Sequence, residues 1–223
     1  ALDVGDGDAD HRAVQDVENL SAGYLRLAFL PLFTAALAGP LIAKFRSRHP
    51  GIDLSVDILA QGSMEQGLTN GRYDIGLGLG DLSSAEVVAI PLHAEEFALL
   101  TGASHPLARK SKIRTADLGR LDFALLDKTF ITREPINRYL KANHAHPRIA
   151  LESNSVDALI SIVESTPLVT IFPRATAQQR PGLRAIRLDP AFPALTTSVL
   201  MPITGHQSAA AKAFLAMLRE RNR

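Results

Sequence analysis

The chain contains no cysteine, and neither sign of charge is in excess. The lack of cysteine excludes disulfides, thiolate zinc sites, iron–sulfur clusters and thiol catalysis, and it fits a reducing compartment. With Lys+Arg 24 against Asp+Glu 23 the net charge is +1, so the chain has no overall electrostatic attraction to nucleic acid or to an anionic membrane. No apolar run approaches the roughly 18 residues that span a bilayer, and no signal peptide is visible. These absences predict a cytoplasmic protein without membrane contact.

The composition is that of a folded globular protein. Hydrophobic residues make up 46% and charged residues 21% of the 223 positions, which is enough chain for one large domain or two small ones. Residues 1–10 hold four aspartates and no basic residue, which predicts a flexible acidic tail. The apolar spacing in residues 11–20 predicts a short helix that ends before Gly23. We interpret that helix as a connector.

From residue 24 onward, the pattern predicts strands that alternate with helices. Pro40 inside the first long helix predicts a kink or a restart, and Ser63 followed by Gln66 has the spacing of a capping box. The first set comprises strand Tyr24–Leu30, helix Phe33–Arg48, strand Ile52–Leu59, a short helix opening at Gln61-Gly62-Ser63 and strand Tyr73–Leu79.

The same order recurs after a crossover. The second set comprises strand Asp122–Leu126, helix Thr132–Asn143, strand Arg148–Ser153, helix Asn154–Ser165 and strand Leu168–Phe172. Two successive βαβαβ sets predict an α/β protein with two subdomains and mainly parallel sheets. The extended segments Val87–Gly102 and Thr196–Ile203, with a closing helix at Ser208–Arg221, suggest that the chain crosses twice between two hinged lobes. That wiring is typical of a periplasmic-binding-protein-like fold with a ligand cleft between the lobes.

Motifs for catalysis, metals and nucleotides are weak or missing. Gly76-x-Gly78-x-Gly80 ends a strand, but no helix follows directly, so we interpret it as close backbone packing. His144-x-His146 has no nearby carboxylate at ligand spacing, and we interpret it as part of an exposed loop. There is no nucleophile elbow and no His-Glu-x-x-His. We therefore predict a protein that is not an enzyme and binds neither a metal nor a cofactor.

Four predicted helix starts are the strongest candidates for a ligand site. In open parallel sheets, ligands bind beyond the carboxyl ends of the strands, where helix N-termini present unpaired N–H groups. We expect two starts from each lobe to converge on one cleft. The predicted effector-binding residues are Leu32, Phe33, Thr34, Gly62, Ser63, Met64, Thr129, Phe130, Thr132, Arg133, Asn154 and Ser155.

Two alternatives stay open for these residues. The hydroxyls could each cap their own helix instead of meeting a ligand; they belong to Thr34, Ser63, Thr132 and Ser155. Arg133 places a positive charge beside a helix start, which favours a small anion over a sugar or an amine. Its alternative role is a surface ion pair with Glu134 or Asp157.

Several short motifs, in this order and at these intervals, match one protein family. They are Gly23-Tyr24-Leu25-Arg26-Leu27, Phe45-Arg46-Ser47-Arg48-His49-Pro50-Gly51, Tyr73-Asp74-Ile75-Gly76-Leu77 and His105-Pro106-Leu107. With them the chain resembles the effector-binding domain of LysR-type transcriptional regulators over roughly Ser21 to Arg219. Within the family it is most similar to the cyanate-operon regulators. That likeness rests on Phe33-Thr34, Gly39-Pro40-Leu41, Phe130 with Thr132-Arg133-Glu134, Glu152 with Asn154-Ser155, and Ala209-Ala210-Ala211-Lys212-Ala213-Phe214-Leu215.

The resemblance implies a domain organisation and partners. Residues 1–22 would be a tail and the end of a linker helix, residues 23–100 plus 204–223 a first lobe, and residues 101–203 a second lobe. The family's winged helix-turn-helix would be absent from this chain, so that DNA is contacted only through that missing domain. The resemblance also implies a small-molecule effector and a homodimer or homotetramer. Pairing would be antiparallel, through helix Phe33–Arg48 and strand Ile52–Leu59.

Two other function classes remain as rivals. A solute-binding protein of a transporter has the same two-lobed build, although the missing signal peptide and the linker-like residues 11–20 favour the regulator. An enzyme on this scaffold lacks a visible catalytic set.

Overall fold

The computed structural model describes residues 23–33, 37–205 and 207–220. The predicted acidic tail, the predicted helix in residues 11–20 and Thr34 lie outside the described residues. In chain order the elements are β1 (Gly23–Phe29), α1 (Gly39–Arg48), β2 (Ile52–Ile58), α2 (Gln61–Thr69), β3 (Ile75–Leu79), β4 (Val87–Glu95), β5 (Phe97–Gly102), β6 (Lys112–Arg114), β7 (Asp122–Leu126), α3 (Arg133–Ala142), β8 (Arg148–Ser153), α4 (Val156–Ser165), β9 (Thr170–Pro173), α5 (Arg174–Gln179), β10 (Leu183–Asp189), β11 (Leu195–Pro202) and α6 (Ala209–Glu220).

The described chain divides into two compact units. The first holds residues 23–30, 37–93, 197–205 and 207–220, and the second holds residues 31–33 and 94–196. The chain passes from one unit to the other within β4 and again within β11. Both passages lie earlier in the chain than the boundaries expected after residues 100 and 203. None of the helices in the described part of the chain is long and apolar enough to cross a membrane.

The first unit is built on a five-stranded sheet in the order β2-β1-β3-β11-β4. Strands β1, β2 and β3 run parallel, and β11 pairs antiparallel with β3. Strand β1, between β2 and β3, buries three consecutive residues from Leu27 to Phe29, as expected of a parallel strand that is covered on both faces. On one side α1 and α6 meet through Phe45 and Phe214, whose rings lie 5.2 Å apart in an edge-to-face arrangement.

Pro40 stands at the start of the first long helix. Pro31–Phe33 forms a separate 3₁₀ turn, and α1 begins only at Gly39, with Pro40 in its first turn. Proline lacks the N–H that an interior helical position donates, but the first turn leaves that N–H without an intrahelical acceptor in any case. Of the helix expected over Phe33–Arg48, the part from Gly39 to Arg48 is α-helical, whereas Phe33 belongs to the 3₁₀ turn.

The second unit combines parallel and antiparallel pairing. Its four-stranded sheet has the order β6-β10-β5-β9, with β5 antiparallel to both of its neighbours. Strands β7 and β8 pair in parallel, and a parallel bridge from Phe123 to Val169 links them to the chain just before β9. Helix α4 packs Leu159, Ile160 and Val163 inward at the predicted helical spacing. The sequence pattern missed β6, β10 and α5, which are short or carry charged residues at alternate positions.

Gly102 lets the backbone of β5 lie close to the carboxyl end of α4. A Cβ atom at this position would lie 2.7 Å from the carbonyl oxygen of Glu164 and 3.1 Å from that of Val163. Both oxygens belong to α4, so they cannot move without moving the helix. Only a residue without a side chain fits between β5 and the carboxyl end of α4.

We expect Gly102→Ala to lower the free energy of unfolding by about 1–3 kcal/mol, because overpacking against main-chain atoms forces the backbone to shift. Gly39→Ala is the matched control, since no atom lies within 4 Å of a Cβ at that position. Urea titration of both variants should show the loss for Gly102→Ala alone. Equal stability of the two variants would contradict this account of the contact.

Candidate functional site

The start of α2 presents main-chain donors at the carboxyl end of β2. The helix begins at Gln61, three residues after β2 ends. The amide of Met64 donates to Ala60 O at 3.0 Å, whereas the amides of Gly62 and Ser63 have no hydrogen-bond partner among the described residues. Gly62 and Ser63 are both exposed. This part of the predicted site therefore offers two accessible N–H groups and one hydroxyl.

Two of the predictions for α2 need correction. Ser63 is the third residue of the helix, and Ala60 occupies the cap position without a side-chain hydrogen bond, so the predicted capping box is wrong. Met64 is fully buried. A Cβ at Gly76 would lie 2.6 Å from Met64 Sδ, which shows that the Met64 side chain lies against β3. Met64 thus belongs to the core, and only its neighbours face solvent.

The side chain of Gln61 joins the helix start to the end of β3. Its Oε1 accepts from the amide of Leu79 at 2.8 Å, and its Nε2 donates to Leu79 O at 3.1 Å and to Asp81 O at 2.7 Å. Gln61 is 4% exposed, so these bonds are largely shielded from water. The amide side chain pairs with the main chain of Leu79 as a neighbouring strand would, and these hydrogen bonds fix α2 to the sheet.

Glu65, one helical turn later, holds the loop after β3. Its Oε2 accepts from the amides of Ser83 and Ser84 at 2.9 and 2.8 Å and from the Ser83 hydroxyl at 2.6 Å. Its Oε1 accepts from Gln61 Nε2 at 3.2 Å. Glu65 is 2% exposed and has these four donors in place of a cation. Gln61 and Glu65 together form the α2 clasp.

The 3₁₀ turn at Leu32 and Phe33 lies in the second unit. Both side chains are buried, with Phe33 2% exposed. We expected this helix start to come from the first lobe, and the structure groups it with the other unit instead. The two residues contribute apolar surface rather than exposed polar groups.

The start of α3 follows the carboxyl end of β7. The Asp127 carboxylate accepts from the amide of Thr129 at 2.9 Å and from its hydroxyl at 2.5 Å. These hydrogen bonds, helped by the positive charge of Arg133, lower the pKa of Asp127. The Thr129 hydroxyl is therefore already engaged, and half-buried Phe130 follows it. Asp127 and Thr129 together order the loop that leads into α3.

Thr132 is the buried hydroxyl residue at this helix start. It occupies the cap position of α3 with an αR backbone and makes no side-chain capping hydrogen bond. It is 4% exposed. The alternative that Thr132 serves only to cap its own helix is thus not supported by its geometry.

Arg133 is buried and is engaged through its Nε and Nη1 atoms. Its guanidinium donates to Leu126 O at 2.7 Å and to Asn137 Oδ1 at 3.1 Å, and it contacts Glu152 Oε1 at 2.6 Å. The expected alternative, an ion pair with Glu134 or Asp157, is wrong. Those two carboxylates pair with other arginines, Arg138 and Arg180 respectively.

Asn154 and Ser155 lie between β8 and α4, and both are exposed. The Ser155 hydroxyl accepts from the amide of Ala158 at 3.3 Å, so the capping alternative is confirmed for Ser155. The Asn154 side chain has no hydrogen-bond partner among the described residues. Asn154 is therefore the polar side chain that this helix start leaves available.

The other candidate sites have less structural support. The described residues include no group of three His, Asp or Glu side chains that could hold a metal ion. Gly76 and Gly78 are confirmed as packing glycines, since a Cβ at Gly78 would lie 2.7 Å from Leu200 Cδ1. His144 adopts a left-handed backbone with φ 53° in the turn after α3.

Comparison with known proteins identifies the family. The model of the LysR substrate binding domain matches residues 18–223. This chain belongs to the LysR substrate-binding domain family. A probable RuBisCO transcriptional regulator of Synechocystis is 24% identical over 215 residues, which cover 94% of this chain and 62% of that protein. The chain thus spans about three fifths of the length of that relative, which is named as a regulator and not as an enzyme.

Solved structures show the same fold as this LysR domain. The regulatory domain of Synechocystis CcmR in complex with 2-PG has a TM-score of 0.81 at 20% identity, over 90% of this chain and 98% of that one. The effector-binding domain of QuiR in complex with shikimate has a TM-score of 0.79 at 19% identity, over 91% and 98%. The predicted α/β fold of the periplasmic-binding-protein type is confirmed.

Our sequence analysis of the LysR domain missed the α2 clasp. The signal was present, because Gln61, Met64, Glu65 and Leu68 have the i, i+3, i+4, i+7 spacing of a buried helix face. Two of those four positions are polar. Polar residues on a buried stripe indicate partners elsewhere in the chain, but the sequence does not say which.

We expect Glu65→Gln to destabilise the LysR domain by about 1–3 kcal/mol, because the new amide N–H₂ either faces the Gln61 amide or leaves Ser83 and Ser84 without an acceptor. Glu86→Gln is the control, because Glu86 is exposed and its carboxylate makes no hydrogen bond among the described residues. Hydrogen exchange at the amides of Ser83 and Ser84 should accelerate in the first variant only. Unchanged protection there would rule out the clasp as the cause.

Proposed function

We propose that this domain is the effector-binding and oligomerisation part of a LysR-type transcriptional regulator, and that its effector is a small anion. The single observation that carries the effector proposal is a set of polar donors at two helix starts. They are the accessible amides of Gly62 and Ser63 in the first unit and the buried, uncapped Thr132 in the second. N–H groups and hydroxyls already held in place bind an anion with little reorganisation.

The family supports a sensor rather than a catalyst. The two neighbours described above are titled as complexes with small molecules, and the curated relative is named as a transcriptional regulator. These names also favour a cytoplasmic regulator over the solute-binding protein of a transporter. We extend the idea to this chain by proposing that its effector is held by main-chain N–H groups and hydroxyls of this kind. An effector shifts a two-state regulator only by its differential affinity for the two states.

DNA is a further proposed partner of the whole regulator. The chain spans 62% of the Synechocystis relative, and DNA contact would lie in the part of such a protein that this chain does not span. A net charge of +1 supports this division, because a domain so close to neutral releases few counterions from DNA.

The outer edge of the first sheet supports the oligomerisation proposal. Strand β2 is the terminal strand of its sheet, and it exposes 37% of Val56 and 47% of Ile58 on one face. Tyr24, on the neighbouring strand, is 56% exposed. An exposed apolar edge strand is a surface that proteins normally cover. A second copy related by a two-fold axis would cover β2 and α1 with the same elements.

The effector proposal is tested with Thr132→Val, which keeps the shape of the side chain and removes its hydroxyl. We expect the affinity for cyanate or azide to fall by up to about tenfold, the equivalent of a hydrogen bond of about 0.5–1.5 kcal/mol. Cyanate is chosen because of the likeness to the cyanate-operon regulators, and urea serves as the neutral ligand. Calorimetry gives the affinities for the anions and for urea.

Thr101→Val is the matched control for that experiment. Thr101 is also a buried threonine of the second unit, and its hydroxyl has no hydrogen-bond partner among the described residues. The Thr101→Val variant should bind cyanate and azide with the affinities of the wild type. Equal loss in both variants, or no preference for anions over urea, would refute the anion assignment.

We expect light scattering at micromolar concentration to give about twice the 24.0 kDa mass of the chain. Ile58→Asp should shift the protein to the monomer, because a buried unpaired carboxylate opposes association. Ile203→Asp places the same charge on a residue that is 60% exposed in another part of the first unit, and it should leave the dimer intact. A monomeric wild type would contradict the proposed interface.

A further inference from the structure

The charges around the start of α3 cancel. Arg133 is the buried cation of this region, with its side chain 8% exposed, and Glu152 reaches it from β8 with a side chain that is 46% exposed. Counting every charged residue in 126–138 together with Glu152 gives three cations and three anions. They are Lys128, Arg133 and Arg138 against Asp127, Glu134 and Glu152.

Arg133 Nη1 and Glu152 Oε1 lie 2.6 Å apart, and the Arg133 guanidinium has two further hydrogen-bond partners. Leu126 O and Asn137 Oδ1 also accept from the guanidinium, at 2.7 and 3.1 Å. A buried guanidinium with a carboxylate at this distance has little remaining attraction for another anion. The Thr132 hydroxyl is an uncharged donor at this helix start.

We propose that Glu152 is a specificity-determining residue that limits the effector to a single negative charge. This inference rests on the proposed anion-binding function of the α3 start. Uncharged N–H and hydroxyl donors suffice to hold a monoanion, whereas a dianion must give up more hydration and needs a cation in return. Arg133 would supply that cation, but Glu152 neutralises it. Glu152 therefore acts through Arg133 and not by touching the effector.

The test is Glu152→Gln, which keeps the size of the side chain and removes its charge. With Arg133 uncompensated, we expect the affinity for sulfate, a dianion, to rise by about tenfold or more, and the affinity for cyanate to rise less. Calorimetry at fixed low ionic strength gives both dissociation constants. A change in the sulfate-to-cyanate ratio is a readout that a purely structural role of Glu152 would not produce.

Asp122→Asn is the matched control. Asp122 pairs with Arg148 at 2.7 Å at the opposite end of the same two strands, β7 and β8. Removing that charge also frees an arginine, but one that is remote from the α3 start along both strands, so the sulfate-to-cyanate ratio should not change. A double variant, Arg133→Gln with Glu152→Gln, should lose the gain in sulfate affinity.

Three outcomes would overturn the inference: no gain in sulfate affinity for Glu152→Gln, an equal gain for Asp122→Asn, or a gain that survives in the double variant. If Glu152→Gln does not fold, Glu152→Asp withdraws the carboxylate by one methylene and should raise sulfate affinity in the same direction by less. No gain there would equally overturn it. A wild type that ignores cyanate, with Glu152→Gln still gaining sulfate affinity, would refute the anion effector and leave the charge balance of Arg133 intact.

Discussion

The close approach of α2 to β3 is the constraint on which the first unit depends. Gly76 and Gly78 have no side chains, so Met64 and Gln61 can lie directly against the strand. Only at that separation does the Gln61 amide reach both the N–H and the carbonyl oxygen of Leu79. The orientation of the first turn of α2, and with it the direction of its unpaired amides, follows from two positions that contribute no side chain at all.

The buried charge near the start of α2 and the one near the start of α3 are compensated in different ways, and in both cases uncharged donors remain. At α2 a buried carboxylate, Glu65, is satisfied by main-chain N–H groups and a hydroxyl, with no cation involved. At α3 a buried cation, Arg133, is satisfied by a carboxylate and a carbonyl oxygen. In both cases the charged group is engaged within its own unit. What each unit leaves for a ligand is mainly main-chain N–H and hydroxyl, which is consistent with recognition of weakly charged molecules.

Local signals predicted most elements, whereas pairings between distant residues escaped the sequence. The place of Pro40 in the first turn of α1 follows from the chemistry of one residue, and the inward face of α4 follows from its period. The cap at Ser63 was wrong because capping spacing also occurs inside helices, and nothing local shows that α2 begins at Gln61. The predicted partner of Arg133 was wrong for a related reason. Glu134 is adjacent in the chain, but Glu152 is brought close only by the pairing of β7 with β8.

The place of β11 in the first sheet has a consequence for synthesis on the ribosome. This strand lies between β3 and β4, yet it begins only at Leu195, after nearly all of residues 94–196. Until it emerges, β3 and β4 have an open slot between them and the first unit lacks α6. The second unit has all but residues 31–33 in one continuous stretch. We therefore expect the second unit to fold while the chain is still growing, and the first to close only once β11 and α6 have emerged.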